Sequence, residues 1–309
     1  MKEIKILELF SGYGSQRIAL ERMGYKVDSD ISEINKNAIN AYNSIHGETL
    51  NYGNIEKFDS LLEQYDLMTY SFPCTDLSTA GSQSGLSGKN SGLVYEVIRL
   101  LKNSDKKPKI LIMENVPTLA KKYREGLDEI KLELESFGYK NYEFLIKGTD
   151  VGIPQKRERF FMVSSFEDIN VKDSNKYNDV NINLSEVEFH IEKKYKECNE
   201  GVVMSGQYQP VRRDYNKLGI KREEWFEMRE DGLFNNVLTG RKKNMIGYVA
   251  EGNCYVRLLN PYETGELMGL NNVEVDKMLS IASENQVIKM HGNSIIVNVF
   301  IELLRRIGF

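Results

Sequence analysis

Two short polar segments follow apolar, strand-like runs, and their side chains could together perform nucleophilic and acid–base chemistry. Cys74 comes shortly after the run Asp66–Tyr70, and Glu114 and Asn115 end the run that begins at Ile110. Because the carboxyl ends of parallel strands meet at one edge of a sheet, we expect the thiol and the carboxylate to lie close together. A thiolate is a strong nucleophile and a carboxyl group can transfer a proton, so the pair predicts an active site. An inert buried cysteine and a surface ion pair are the alternatives.

A glycine turn joins the first strand-like run, Lys5–Leu9, to a helix and is typical of a ligand-binding loop. Gly12 and Gly14 allow positive φ angles and a close approach of a ligand to the backbone. Glu33 follows about 20 residues later, where a carboxylate suits ribose hydroxyls. Arg17 stands where a dinucleotide fingerprint has its third glycine, so that fingerprint is incomplete. An ordinary tight turn and a carboxylate at a helix N-terminus are the alternatives.

Alternating polar residues near the middle of the chain predict a set of donors on one side of an extended segment. Gln155, Arg157 and Arg159 are spaced by two residues, so in a strand they share a face. Amide and guanidinium groups there could hold a planar base and a backbone phosphate, and a charged edge strand is the alternative. Near the C-terminus, Asn293 is predicted to cap the last helix.

The hydrophobic periodicity of the first half alternates between strand and helix, which predicts an α/β fold. Apolar runs of strand type occupy Lys5–Leu9, Lys26–Ile31, Asp66–Tyr70, Ile110–Met113 and Phe160–Val163. Helical spacing occupies Ser15–Met23, Glu33–Ile45, Leu93–Leu101, Tyr123–Phe137 and Ser294–Ile307. Repeated β-α alternation indicates a mostly parallel sheet with helices on both faces.

The alternation breaks after residue 167, where Asn, Lys, Glu and Tyr dominate and apolar stretches are short. The 309 residues are typical of about two domains. We predict one α/β domain from residues 1–170 and 286–309, an irregular domain over 171–255 and a connecting segment over 256–285. Residues 190–250 carry 12 Lys and Arg against 9 Asp and Glu, although the whole chain has a net charge of −4. This basic segment favours binding of an anion, and a solvated face is the alternative.

Composition excludes several classes of protein. Hydrophobic residues make up 41% of the chain, which is enough for a sizeable core and excludes a wholly disordered chain. The chain has only three cysteines and three scattered histidines, so neither a disulfide framework nor a metal site is expected. Because we find no long apolar run and no signal peptide, we expect a cytoplasmic protein without membrane contact.

The motifs, in their order and spacing, resemble those of the DNA (cytosine-5) methyltransferase family. The matching segments extend over nearly the whole chain and are Phe10–Gly14, Glu33, Pro73-Cys74, Glu114–Val116, Gln155 with Arg157 and Arg159, and Gly292–Ser294. The resemblance implies a Rossmann-like class I methyltransferase sheet, with a small irregular target-recognition domain at 171–255. It also implies methyl transfer from S-adenosylmethionine to C5 of a flipped-out cytosine in a specific double-stranded DNA sequence, through a covalent adduct of Cys74 with C6.

The resemblance assigns roles to single residues. Catalytic roles are implied for Cys74, Glu114, Arg157 and Arg159. The S-adenosylmethionine pocket is assigned to Phe10, Gly12, Tyr13, Gly14, Glu33, Ile34, Asn54, Ile55, Pro73, Leu93 and Asn293. Three residues depart from the family pattern: Asn54 stands where Asp is common, Thr75 where Gln is common and Val237 where Thr is usual.

Candidate DNA contacts come from the polar loop after Cys74 and from the basic segment. They are Ser78 in the Ser- and Gly-rich loop 78–92, Gln155, Arg212, Arg213, Arg241 and Lys242. We expect a monomer that acts on double-stranded DNA, with a cognate restriction endonuclease as a candidate partner. A chain rich in Lys, Asn and Ile is typical of an A·T-rich genome, such as that of a bacterium or its phage.

Two other functions are compatible with parts of the sequence. A tRNA cytosine-5 methyltransferase would share this core and mechanism, but its Cys-Phe-Thr signature is absent and the insert after residue 167 favours DNA. A dinucleotide oxidoreductase is the alternative from another class. Arg17 argues against this alternative, and an oxidoreductase of this kind does not need the Pro73-Cys74 motif.

Overall fold

The computed structural model describes residues 2–73, 88, 91–172, 209–213, 226–228, 233–234, 236–240, 244–250 and 253–309. The chain divides into two compact units. The first consists of Met1–Lys147, Glu158–Asn175 and Ser294–Phe309, and the second of Gly148–Arg157 and Lys176–Asn293. The segment 256–285, predicted as a connection, lies within the second unit. The assignment of DNA recognition to residues 171–255 stays a prediction.

The first unit contains a six-stranded sheet. Its strands are β1 (Lys2–Leu9), β2 (Tyr25–Ser32), β3 (Leu67–Tyr70), β4 (Ile110–Asn115), β5 (Lys140–Lys147) and β6 (Glu158–Ser165), in the order β2-β1-β3-β4-β6-β5. The strands β2, β1, β3 and β4 pair in parallel, whereas β6 is antiparallel to both of its neighbours. The predicted mostly parallel sheet is therefore confirmed. This order places the carboxyl ends of β1, β3 and β4 side by side.

Helices cover both faces of this sheet, as predicted. They are α1 (Ser15–Arg22), α2 (Lys36–His46), α3 (Leu93–Lys102), α4 (Thr118–Lys122), α5 (Arg124–Ser136) and α9 (Val297–Arg306). Helices α3 and α5 share a hydrophobic core with Leu7 of β1. Successive strand residues point to opposite faces, and Glu8 on the other face bonds Tyr42 of α2. On that second face, Phe161 of β6 also packs against Phe300 of α9.

Differences from the sequence prediction include two helix starts and one strand of the first unit. Helix α2 begins at Lys36, because the Asn35 side chain accepts from two backbone N–H groups and caps it there. Helix α9 begins at Val297 and not at Ser294. Strand β5 was not predicted, because only two of its eight side chains are buried and it lacks a continuous apolar run.

The second unit combines an antiparallel sheet with short helices. Its strands are β7 (Gln209–Arg213), β8 (Phe226–Met228), β9 (Met245–Ala250) and β10 (Asn253–Leu258), in the order β10-β9-β7-β8. Its helices are α6 (Pro261–Glu266), α7 (Asn272–Leu279) and α8 (Glu284–Asn293). Asn260 and Asn271 begin α6 and α7 with capping boxes closed by Glu263 and Glu274. Local sequence therefore fixes where these two helices start.

The stretch Glu284–Arg306 is long and apolar enough to cross a membrane by length and composition, with a mean hydropathy of 1.3 in its most apolar window. In the structure the stretch comprises α8 and α9, and 67% of that window is buried inside the protein. Core helices of soluble proteins show the same combination, so the stretch is weak evidence for a membrane span.

Candidate active site

The glycine turn directly follows β1, and its backbone has a conformation that few residues adopt. Gly12 and Gly14 have φ angles of +60° and +82°, and Phe10 has +57°. Among the described residues Phe10 is the only non-glycine with a positive φ angle. Its N–H donates to the Ser32 carbonyl at 2.8 Å, which fixes the turn to the end of β2. Held strain of this kind is typical of ligand-binding loops.

The two glycines are needed for different reasons. A Cβ atom at Gly14 would lie 2.6 Å from both His46 Nε2 and Tyr42 Cε2, so side chains of α2 fill the space beside this residue. A Cβ atom at Gly12 would meet no atom within 4 Å, so the turn is open there. The open side is where a ligand could approach the backbone.

Glu33, just after β2, brings a carboxylate to this turn. One carboxylate oxygen accepts from the Gly12 N–H at 3.1 Å, and the other accepts from the N–H groups of Ile34 and Asn35 at 2.8 Å each. Glu33 therefore precedes α2 and orders the chain that enters it, while it also reaches the glycine turn. Ile34 is 71% exposed, so its apolar side chain is available to a flat ligand.

A short 3-10 helix, Ile55–Lys57, begins directly after Asn54, one of the residues that depart from the family pattern. The Asn54 side-chain oxygen accepts from the Glu56 N–H at 3.0 Å and so caps this helix. Ile55 belongs to the hydrophobic core, and Leu93 at the start of α3 packs against the same core. The structure thus uses Asn54 and Ile55 to hold this segment on the sheet.

Glu114 and Arg159 form an ion pair at the carboxyl end of β4. In the antiparallel pairing of β4 with β6, Glu114 lies opposite Phe161, so Arg159 shares its face of the sheet. Arg159 Nε lies 2.8 Å from Glu114 Oε1, and the two side chains are only 10% and 12% exposed. A charge-assisted bond at such a poorly solvated position fixes both groups strongly. The structure thus brings together two residues that the sequence analysis placed in one site.

Asn115, next to Glu114, holds the chain that leads to Cys74. Its Nδ2 donates to the Phe72 carbonyl at 3.1 Å, and its Oδ1 accepts from the Val116 N–H at 2.8 Å. The residue is 2% exposed. This bond ties the end of β4 to the segment that leads to Cys74, the predicted nucleophile. Sequence reasoning gave Asn115 no role of its own, and its signal was an amide residue at the end of an apolar strand.

Comparison with known proteins places these motifs in a family. The sequence profile described as C-5 cytosine-specific DNA methylase matches residues 4–308. The chain belongs to this family. It is a DNA (cytosine-5) methyltransferase, and the family implies methylation of cytosine in DNA with S-adenosylmethionine.

Relatives of this methylase match over most of its length. The type II methyltransferase M2.ScrFI of Lactococcus lactis subsp. cremoris is 28% identical over 98% of this chain and 99% of that protein. The orphan methyltransferase M.SssI of Spiroplasma monobiae is 31% identical over 80% of this chain and 67% of that protein.

Solved structures of low sequence identity share the fold of the methylase. The methyltransferase EhMeth of Entamoeba histolytica has a TM-score of 0.70 at 16% identity and covers 99% of this chain and 98% of its own. A putative DNA modification methyltransferase encoded within an E. coli prophage has a TM-score of 0.64 at 15% identity, covering 99% of this chain and 100% of its own. The predicted Rossmann-like methyltransferase sheet is therefore confirmed.

Gln155 and Arg157 hold parts of the methylase's second unit together. Gln155 is fully buried, and its Nε2 donates to the Leu267 carbonyl while its Oε1 accepts from the Val237 N–H, each at 2.8 Å. Arg157 donates to the carbonyls of Val237 at 3.3 Å and Gly292 at 3.0 Å. Burial and these bonds contradict the predicted DNA contact of Gln155. The catalytic role of Arg157 stays a prediction.

The predicted common face of Gln155, Arg157 and Arg159 is wrong. Residues 155–157 precede β6, and Gln155 instead forms an isolated bridge with Phe234. Gln155 and Arg157 bond within the second unit, whereas Arg159 bonds Glu114 within the first. Gln155 and Arg157 therefore share Val237 as a partner, whereas Arg159 serves a different contact.

Asn293 is the last residue of α8 in the second unit and does not cap α9, which corrects the sequence prediction. A Cβ atom at the preceding Gly292 would lie 2.6 Å from the Thr239 N atom and 2.7 Å from the Leu238 carbonyl carbon. The glycine of this motif is therefore required by close packing of α8 against backbone. The cofactor contact of Asn293 stays a prediction.

The structure does not test the roles of six further predicted site residues. Cys74, Ser78, Arg241 and Lys242 lie outside the described residues. Arg212 and Arg213 lie in β7, opposite Glu227 and Phe226 of β8. Their DNA contacts stay predictions.

A buried acid lies just before the glycine turn. Glu8 of β1 is fully buried and accepts a hydrogen bond from the Tyr42 hydroxyl. Burial raises the pKa of Glu8 from 4.5 to about 7, although the bond from Tyr42 and the nearby Arg17 guanidinium favour the charged form.

The Glu8→Gln variant should gain stability relative to the parent as pH rises. Between about pH 4.5 and 7, Glu8 binds more protons in the native parent than in the unfolded chain. The free energy of unfolding of the parent therefore falls as pH increases through that window. Between pH 5 and pH 8 the difference between variant and parent should grow by about 2 kcal/mol. Urea unfolding of both proteins at the two pH values measures it, with the exposed Glu125→Gln as control. A constant difference across this range would contradict the assigned burial cost.

Proposed function

We propose that this methyltransferase transfers a methyl group from S-adenosylmethionine to C5 of a cytosine in a specific double-stranded DNA sequence, through a covalent adduct of Cys74 with C6. One observation carries the proposal. Glu114, paired with Arg159 at 2.8 Å, lies at the sheet edge where Asn115 holds the segment that leads to Cys74. An acid with a positioned cation beside a nucleophile suits addition to an electron-poor ring.

The residues of the glycine turn fit S-adenosylmethionine. The turn is open at Gly12, which leaves room for a ligand against the backbone. Glu33 lies within hydrogen-bond distance of that backbone and offers oxygen atoms to ribose hydroxyls, and the exposed Ile34 offers an apolar surface to adenine. Phe10, Tyr13 and Gly14 would complete the surroundings of the methionine part. When bound, the cofactor supplies an electrophilic methyl group.

Cys74 activates the base by adding to it. The Cys74 thiolate forms a bond to C6, and the electron pair of the C5–C6 double bond moves into the ring towards N3. Glu114 donates a proton to N3, which prevents build-up of negative charge on the ring. Arg159 keeps Glu114 in place and holds the base at O2. The neutral enamine that results is nucleophilic at C5, the carbon to be methylated.

The second half of the reaction releases Cys74. Loss of the C5 proton to water restores the C5–C6 double bond, breaks the bond to sulfur and expels the thiolate. Glu114 takes back the N3 proton in the same stage, so the site returns to its starting state. A base inside a duplex cannot be reached by these groups, so the target cytosine flips out at a cost of a few kcal/mol. We assign closure over the flipped base to the loop 78–92.

A methyl-transfer assay with labelled S-adenosylmethionine tests this function. The reactions contain purified duplex DNA, tRNA or no nucleic acid. Label should appear in the duplex DNA only. Bisulfite sequencing of DNA from cells that express the chain should then show methylated cytosines in one sequence context. Label in tRNA alone would replace the DNA assignment, and no label in either substrate would overturn the proposal.

We assign DNA binding to the basic segment and expect Arg212→Gln with Arg213→Gln to weaken it. Each lost phosphate contact should reduce the slope of log affinity against log salt by about 0.9, because fewer counterions are released. A base-reading arginine would instead relax the methylation pattern at one position at a cost of about 1–3 kcal/mol. A salt titration of DNA affinity and a methylome of the double variant distinguish the two. If both slope and pattern are unchanged, these arginines face solvent.

A cognate restriction endonuclease is the partner we propose in the cell. Relatives such as M2.ScrFI are named type II methyltransferases, which supports this proposal. DNA from cells that express the chain should resist one endonuclease that cuts at the methylated sequence.

A further inference from the structure

We propose that His46 is a positioning residue for S-adenosylmethionine binding, which acts through the backbone of the glycine turn. His46 ends α2 and touches neither Glu114 nor Arg159 in any described contact. The inference rests on the proposed function, because it takes the glycine turn as the cofactor site.

The two ends of α2 hold the glycine turn from both sides. Before the helix, the Glu33 carboxylate accepts from the Gly12 N–H at 3.1 Å. At the end of the helix, His46 Nε2 lies 3.3 Å from the carbonyl oxygen of Tyr13. Gly12 and Tyr13 are therefore held between a contact at the Gly12 N–H and a contact at the Tyr13 carbonyl. Because Glu33 is also the proposed ribose ligand, one helix links the ribose position to the turn.

The His46 ring is itself held firmly. Its side chain is fully buried, and its centroid lies 4.6 Å from that of Tyr42. Its second ring nitrogen, Nδ1, lies 3.6 Å from a carboxylate oxygen of Glu21 on α1. Burial raises the pKa of Glu21, but interactions with His46 and Arg17 outweigh it and lower the pKa to about 2. The ring thus joins α1 and α2 behind the turn.

Gly14 shows that this packing sets the shape of the turn. A Cβ atom there would overlap both the His46 and the Tyr42 rings at 2.6 Å. An apolar side chain at position 46 could fill the same space, but it would not donate to the Tyr13 carbonyl. The buried His46 ring is therefore best explained by the N–H group that it donates to the Tyr13 carbonyl.

Binding of S-adenosylhomocysteine to the full chain, measured by calorimetry, tests the inference. His46→Leu should raise the dissociation constant about three- to tenfold, the effect of one lost hydrogen bond. The KM for S-adenosylmethionine should rise in parallel, while kcat at saturating cofactor stays within about twofold of the parent. His46→Gln places an amide N–H near the former Nε2 and should restore affinity to within about twofold.

Tyr139→Phe is the matched control, because it removes another buried hydrogen bond of the first unit, from the Tyr139 hydroxyl to the Pro108 carbonyl at 2.6 Å. It should lower the melting temperature and leave the dissociation constant unchanged. An unchanged constant in His46→Leu, an equal rise in Tyr139→Phe, or no recovery in His46→Gln would each overturn the inference.

A variant that does not fold and a parent that does not bind are also informative. If His46→Leu does not fold, His46→Asn takes its place, since the shorter amide cannot reach the Tyr13 carbonyl and the same rise is expected. A parent protein that binds no S-adenosylhomocysteine would overturn the proposed function itself. A parent that binds while its His46 variants bind equally well would overturn only the role of His46.

Discussion

Replacement of Cys74 by serine should reduce methyl transfer by several orders of magnitude. A serine hydroxyl is far less ionised than a thiol at neutral pH, so attack on C6 nearly stops. Binding of DNA and of S-adenosylmethionine should persist, because neither depends on the sulfur atom. Turnover with labelled cofactor gives the loss, and equilibrium binding of both ligands gives the comparison. Methylation by the variant within tenfold of the parent would refute Cys74 as nucleophile.

A duplex with 5-fluorocytosine at the target position makes the same prediction visible as a covalent complex. Fluorine cannot leave C5 as a cation, so the elimination that expels Cys74 is blocked and the adduct persists. In the presence of S-adenosylmethionine, the parent should form a complex with this duplex that survives denaturation, and Cys74→Ser should not. The other two cysteines provide controls, since Cys198→Ser and Cys254→Ser should trap the duplex as the parent does. A trapped complex in Cys74→Ser would assign the adduct to another residue.

The sheet of the first unit could be predicted because its parallel strands are buried on both faces. Such strands are continuous apolar runs, as in Ile110–Met113, and each is followed by a helix with clear periodicity. Strand β5 lacks this signal, because Phe144 and Ile146 are its only fully buried side chains. Its place in the sheet depends on pairing with β6, which no local pattern records.

The motif residues of the site could be predicted, but the contacts that hold them could not. The position of Glu114 at a strand end followed from its apolar flank, and the family resemblance placed Arg159 in the same site. The bond from Asn115 to Phe72 spans 43 residues, and that from His46 to Tyr13 spans 33. Neither spacing has a local signature, because these contacts exist only once the helices have packed on the sheet.

Gln155 shows the limit of reading function from spacing alone. Alternation with Arg157 and Arg159 suggested one row of donors for a base and a phosphate. In the structure both polar atoms of its amide are used by the backbone of Leu267 and Val237, residues more than 80 positions away. A polar side chain that bridges distant loops and one that binds a ligand have the same appearance in a sequence.

Glu114→Gln should lower the rate of methyl transfer by about two to four orders of magnitude, the usual scale for acid–base catalysis. The amide keeps the shape of the side chain but has no acidic proton to transfer to N3. Cofactor affinity should stay unchanged, because Glu114 pairs with Arg159 at the end of β4, whereas the glycine turn follows β1. With a 5-fluorocytosine duplex, the adduct should still form, but at a rate reduced by the same factor.

The change also removes the charged partner of a poorly exposed arginine, so a general loss of stability must be separated from a loss of chemistry. Glu143→Gln is the matched control, since Glu143 pairs with Arg124 at 2.7 Å and lies on β5, the edge strand of the sheet. It should cost some stability and leave turnover within about twofold. If Glu114→Gln weakened S-adenosylhomocysteine binding as much as it slowed turnover, Glu114 would belong to the cofactor pocket. If it slowed turnover no more than Glu143→Gln does, proton donation to N3 would have to come from another group.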